Sequence, residues 1–219
     1  KRNLPPSLLH IAVTLLLIGM PFVLILLQPD LGTSLLILAS GAFVLFMAGL
    51  QWRWIFGAVG ALVPICIGMW FFVLREYQQK RILTFLDPES DPLGSGWNII
   101  QSKAAIGSGG VWGKGWLLGT QSHLDFLPES HTDFIIAVLG EEFGMVGICL
   151  LLMIYLLLIA RGLVITSQAQ TLFGKLLAGG LTMTFFVYVF VNIGMVSGLL
   201  PVVGVPLPFI SYGGTSLVT

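Results

Sequence analysis

Five apolar stretches constrain this chain most: near Leu8 to Leu27, Thr33 to Leu50, Ile55 to Leu74, Phe134 to Ala160 and Lys175 to Leu200. Each approaches or exceeds the roughly 20 residues that carry an α-helix across a bilayer core. A sixth begins near Ile210. Lipid offers backbone amides no hydrogen-bond partners, so such stretches must satisfy their own as helices. They predict an all-α polytopic membrane protein with five full transmembrane helices and the start of a sixth, forming one integral membrane domain over residues 1–219. The absence of a methionine at Lys1 and the short final stretch predict an internal piece of a longer chain.

Composition agrees. Charged residues make up 9% of the chain, against roughly 25% in soluble domains, and mean hydropathy is +0.97. The formal net charge is zero, which gives a polyanion partner no support and argues against nucleic acid. Cys66 and Cys149 both lie in apolar runs, where a thiol packs as a small hydrophobe. They predict neither a disulfide framework nor a metal site.

Short connections, "QPDLGT" (28 to 33) and "QWRW" (51 to 54), make the first three spans antiparallel neighbours. Threading then puts Lys1, Arg2, Arg53, Arg161 and Lys175 on one side and the acids on or near the other. Lys and Arg mark the cytoplasmic side, so the long segment 75–133 faces outward. That segment mixes Trp97, Trp112 and Trp116 with glycines. Indole favours the membrane boundary, which predicts a bilayer-hugging loop with a short amphipathic helix around Ile99 to Ile106, then tight glycine turns.

The stretch "LPESHTDFIIAVLGEE" (127 to 142) places ionisable groups beside and inside an apolar run. Asp133 reads first as an N-cap, a role compatible in location with a general base at the membrane rim. Glu141 and Glu142 would lie about 12 Å further into a continuous helix, at a depth where carboxylates line a cavity or pair structurally. Only Glu141 would share a face with Asp133. Gly140 and Gly144 have the small-xxx-small spacing of close helix packing. His123, Asp125, Glu129 and His131 match no ligand spacing, so no protein-encoded metal site is expected. Asp30 reads first as turn chemistry. Lys103 and Lys114 are either snorkelling side chains or phosphate binders. "SGG" with "GKG" lacks the P-loop spacing, so a nucleotide-driven reaction is not indicated. The prolines and glycines of "GLLPVVGVPLPFISYGGTS" (198 to 216) predict an extended run, either a plain outer loop or the wall of a cavity.

Four motifs in order, "QPDLGTS", "AIGSGG" with "GKG", "LPESHTDFIIAVLGEEFG" and "PLPFISYGGTS", resemble the SEDS family (shape, elongation, division and sporulation). The elongation branch is closer than the division branch. The resemblance implies a parent of about ten transmembrane helices and peptidoglycan glycosyltransferase activity on lipid II at the outer face of the bacterial inner membrane. It implies Asp133 as the essential acid, with Asp30 also in the site. The candidate substrate-binding set is Asp30, Lys103, Lys114, Glu129, His131, Thr132, Glu141 and Ser211. The cofactor in prospect is a divalent cation, Mg or Mn, carried with the diphosphate. The implied partners are a class B penicillin-binding protein and the MreB-associated elongation complex. A lipid-linked precursor flippase and a catalytically silent scaffold are the alternatives. The outward concentration of acids favours chemistry over translocation.

Overall fold

A computed structural model describes residues 8–28, 30–72, 76, 79, 83, 95–120 and 132–212. Among them are helices α1 (Leu8–Leu27), α2 (Leu31–Met47), α3 (Trp52–Phe72), α4 (Ser95–Gly109), α5 (Ile135–Gln168) and α6 (Leu172–Val196), and no strand. A helix covers most of each of the five predicted apolar stretches. Those over Leu9–Leu27, Ile135–Gln168 and Leu172–Val196 are long and apolar enough to cross a membrane. The chain divides into two compact units, 1–80 with 162–184 and 81–161 with 185–219.

In the first unit α1 and α2 form the hairpin that the short connection predicts. Asp30 caps α2, its Oδ1 accepting from the Thr33 amide at 3.0 Å. Capping satisfies a donor that the first helical turn leaves orphaned. Gly49, in the left-handed region at φ 88, terminates α2 as such glycines do. Glycines also set the packing distances here. A Cβ on Gly41 would collide with Ile18, one on Gly162 with Thr182, and one on Gly179 with Met47.

The second unit is built on a core of Ala105, Phe134, Ile136, Ala137, Tyr155, Val189, Met195, Val196 and Leu207. Helix α4 extends from Ser95 to Gly109, longer than predicted. It buries Ile99, Ser102 and Ala105 on one face, the i, i+3, i+6 pattern of a packed helix. Ser102 Oγ donates to the Val196 carbonyl at 2.9 Å, tying α4 to the end of α6.

Helix α5 departs from expectation in two ways. It runs on through Arg161 to Gln168 instead of ending near Ala160, so Arg161 stands on a helix and not in a connection. It also breaks at Gly144 (φ 66, ψ −163), a backbone region essentially restricted to glycine. The bend is sharp. An unbroken helix would hold Thr132 and Tyr155 about 34 Å apart. Yet Ser211 Oγ donates to the Thr132 carbonyl, and Tyr155 Oη donates to the carbonyl of Pro208, in the same turn as Ser211, at 2.7 Å. The arm before Gly144 therefore folds toward the arm after it. The longer arm, at about 1.5 Å per residue, is itself long enough to cross a bilayer core.

A broken helix leaves amides and carbonyls without partners. Here the chain after α4 supplies them. The amides of Lys114 and Gly115 donate to the carbonyls of Glu141 and Glu142, both at 2.9 Å. The amides of Met145 and Val146 donate to the carbonyls of Gly110 and Val111, at 3.0 and 3.1 Å. Those four groups would have bonded one another in a continuous helix, Met145 to Glu141 and Val146 to Glu142. Only glycine permits so close an approach. A Cβ on Gly113 would strike the Glu142 carbonyl, and one on Gly144 would strike the Gly113 amide and Val111 carbonyl. The predicted glycine turns after α4 thus thread into the break.

Candidate functional site

Asp133 lies in the turn 132–134 that leads into α5. Two side chains hold this turn and the extended segment 201–207 together, and a third anchors the residue that follows the segment. Asn192, on α6, donates from Nδ2 to the Asp133 carbonyl at 2.9 Å and to the Val205 carbonyl at 2.6 Å. Ser211 Oγ donates to the Thr132 carbonyl and accepts from the Leu207 amide at 2.7 Å. Tyr155 fastens Pro208, as above. The extended run predicted for this proline-rich segment is observed, and it packs against the Asp133 turn.

Asn192 stands four residues before the end of α6 at Val196, so the Asp133 turn lies about 6 Å, one helical turn, inside that end. Gly204 adopts φ 69, and a Cβ there would come within 3.3 Å of Asp133 Oδ2. The carboxylate is half-buried beside bare glycine backbone. Such a group suits acceptance of a proton from an approaching hydroxyl, since a general base must sit within hydrogen-bond reach of that proton.

The other candidates are distributed differently. Thr132 and Ser211 meet directly, through the Thr132 carbonyl. Glu141 is fully buried at the far end of the short arm, about 12 Å along it from Asp133. Its Oε1 accepts from Lys114 Nζ at 2.7 Å, the Thr120 amide at 2.9 Å and Thr120 Oγ1 at 3.1 Å. Glu141 and Lys114 thus bind the inserted loop to the break, a pairing that the sequence did not suggest for Lys114. Lys103 lies on the exposed side of α4 over Gly198, where a Cβ would meet its Nζ. Asp30 caps α2. Glu129 and His131 lie outside the described residues. Among the described residues no three His, Cys, Asp or Glu side chains gather as a metal cage.

Asn192, Gly204, Tyr155 and Thr120 were not singled out from sequence. One signal was available for Asn192: a lone amide within "VYVFVNIGMV" is a polar group at membrane depth, and such groups are functional candidates.

These elements define an integral membrane protein of helices with a half-buried carboxylate, Asp133, at the start of a folded-back helical arm. The chain belongs to the family of cell cycle proteins that groups FtsW, RodA and SpoVE, which matches residues 1–219. It is 62% identical over 217 residues to the peptidoglycan glycosyltransferase MrdB of Escherichia coli K12, covering 98% of this chain and 58% of that protein. It is 47% identical over 169 residues to the peptidoglycan glycosyltransferase RodA of Treponema pallidum, covering 76% of this chain and 39% of that one. To a probable peptidoglycan glycosyltransferase FtsW of Trichlorobacter lovleyi it is 42% identical over 208 residues, covering 95% of this chain and 53% of that one. Among solved structures, a chain of a peptidoglycan synthase complex that coordinates polymerization and crosslinking superposes with TM-score 0.81 at 33% identity, covering 100% of this chain and 60% of that one. RodA of Thermus thermophilus superposes with TM-score 0.62 at 29% identity, covering 98% and 54%. The chain thus spans little more than half the length of the MrdB protein it matches.

Proposed function

We propose that the full-length protein is a peptidoglycan glycosyltransferase of the elongation type, polymerising lipid II at the periplasmic face of the bacterial inner membrane. The observation that carries this reading is the placing of Asp133: a half-buried carboxylate pinned through its backbone beside a glycine, in a chain 62% identical to MrdB. Greater identity to MrdB than to FtsW favours elongation over division. In this reading the spans comprise five full helices and the start of a sixth, within a parent of about ten, and segment 75–133 lies on the periplasmic side.

The chemistry follows from the carboxylate. A sugar hydroxyl of the acceptor attacks the anomeric carbon of the growing strand, a C–O bond forms, and the bond from that carbon to the undecaprenyl diphosphate breaks. Asp133 takes the hydroxyl proton as the nucleophile attacks, and the diphosphate departs with the electron pair. Negative charge grows on the leaving group, so nearby cations favour the transition state. Lys103, exposed on α4, is the freer candidate, while Lys114 already serves Glu141. A divalent cation, Mg or Mn, carried with the diphosphate, would offset the same negative charge. The proposed partners are a class B penicillin-binding protein that crosslinks the new strands and the MreB-associated machinery.

The test is polymerisation of lipid II by the purified full-length protein and its Asp133→Ala variant in liposomes. Glycan polymer from the wild type and none from the variant is the expected result. Polymer formation by Asp133→Ala at the wild-type rate overturns the assignment.

A further inference from the structure

We infer that Asn192 is a positioning residue for Asp133: a two-carbonyl clamp that sets the carboxylate over Gly204 and thereby governs turnover rather than substrate affinity. The inference rests on the proposed function above.

Asn192 has no solvent exposure. Both of its observed bonds end on carbonyl oxygens, which only the NH2 side of the amide can serve. That chemistry fixes the orientation of the group, and its Oδ1 is left buried without a hydrogen-bond partner. A side chain selected for stability alone would not strand a buried acceptor. The two bonds instead go to the two backbone segments whose separation sets the carboxylate's surroundings.

The geometry gives the clamp its leverage. The Ala137 amide bonds the Phe134 carbonyl, so the first turn of α5 does not draw that amide to the Asp133 carbonyl, and Asn192 takes up that oxygen. Fixing the peptide plane after Asp133 constrains the direction of its Cα–Cβ bond. Fixing the Val205 carbonyl does the same for the Val205–Pro206 peptide, one residue past Gly204, the residue beneath Oδ2. One amide therefore holds the proton acceptor and its floor in register, and a misplacement of about 1 Å at a reacting group can cost on the order of a hundredfold in rate.

The full-length protein in liposomes with lipid II supplies the test, comparing Asn192→Asp and Asn192→Ser with wild type and with Asp133→Ala. An aspartate has the same shape but offers at most one donor, and a serine offers one on a shorter arm, so neither can hold both carbonyls. The expected result is a kcat reduced at least tenfold with KM within twofold of wild type, in protein that elutes as a single folded species. An unchanged kcat, or a raised KM at unchanged kcat, overturns the inference. Loss of folded protein in both variants assigns Asn192 to stability and overturns it as well. Failure of the underlying function is separately visible, because Asp133→Ala would then polymerise lipid II.

Discussion

Lys114 and Glu141 form an ion pair at 2.7 Å across the break in α5, with the carboxylate wholly buried and the lysine side chain 29% exposed. The pair locks side chains where the four backbone bonds lock main chain, so loop and break are one construction. Lys114→Met should leave a buried carboxylate short of its counter-charge and destabilise the protein by on the order of 3 kcal/mol. Glu141→Leu in the same chain should recover part of that loss, because it removes the stranded charge as well. Thermal unfolding in detergent, read as a double-mutant cycle, gives the coupling.

The break itself depends on glycine. Gly144→Ala places a side chain at φ 66 and against the Gly113 amide, so it combines roughly 1–3 kcal/mol of backbone strain with a steric clash. The expected outcome is release of residues 110–115 from α5, measured as faster amide exchange at Met145 and Val146. Gly113→Ala should do the same from the other side. Gly107→Ala, where a Cβ meets nothing within 4 Å, should not.

Asp133→Asn keeps the size of the side chain and removes its capacity to accept a proton. If the carboxylate is the general base, glycan polymerisation should fall by about 10²- to 10⁴-fold, with lipid II binding largely retained. Single-turnover polymerisation and an equilibrium binding measurement on the same preparation separate the two effects.

Gly204→Ala tests the floor under the carboxylate. The substitution is strained at φ 69, and its methyl would press on Asp133 Oδ2 at 3.3 Å. Turnover should fall more steeply than thermal stability, and Gly204→Val should fall further still. Equal activity of all three proteins would show that the carboxylate works elsewhere.

Ser211→Ala removes two hydrogen bonds at once, to the Thr132 carbonyl and from the Leu207 amide. Leaving both partners unsatisfied should cost about 1–3 kcal/mol for each. Hydrogen exchange should rise at Leu207 without a comparable change in α2.

Much of the fold was legible because hydropathy and turn chemistry are local signals. The QPDLG turn was legible as a turn, although the capping of α2 by Asp30 was not, and the proline run showed the extended segment that packs on Asp133. Asp133 stood out because charge is scarce in this chain. The break at Gly144 was hidden, since a glycine amid FGMVGICLLL reads equally as close helix packing. Its consequence for Glu141 was hidden with it: a continuous helix carries Glu141 inward from Asp133, whereas the fold gives it to a loop more than twenty residues away in sequence. Asn192 bonds partners distant in sequence, which no periodicity reports. Helix α4 was foreseen, but its packed face depends on the ends of α6 and α5.

The bend at Gly144 also makes the stretch from Asp133 to Gly144 a ruler. One residue added or deleted within it would turn the acid by about 100° and slide it about 1.5 Å, while leaving the hydropathy profile almost untouched. Length there should be intolerant of insertion even at positions where many side chains are accepted, a constraint on spacing rather than on identity.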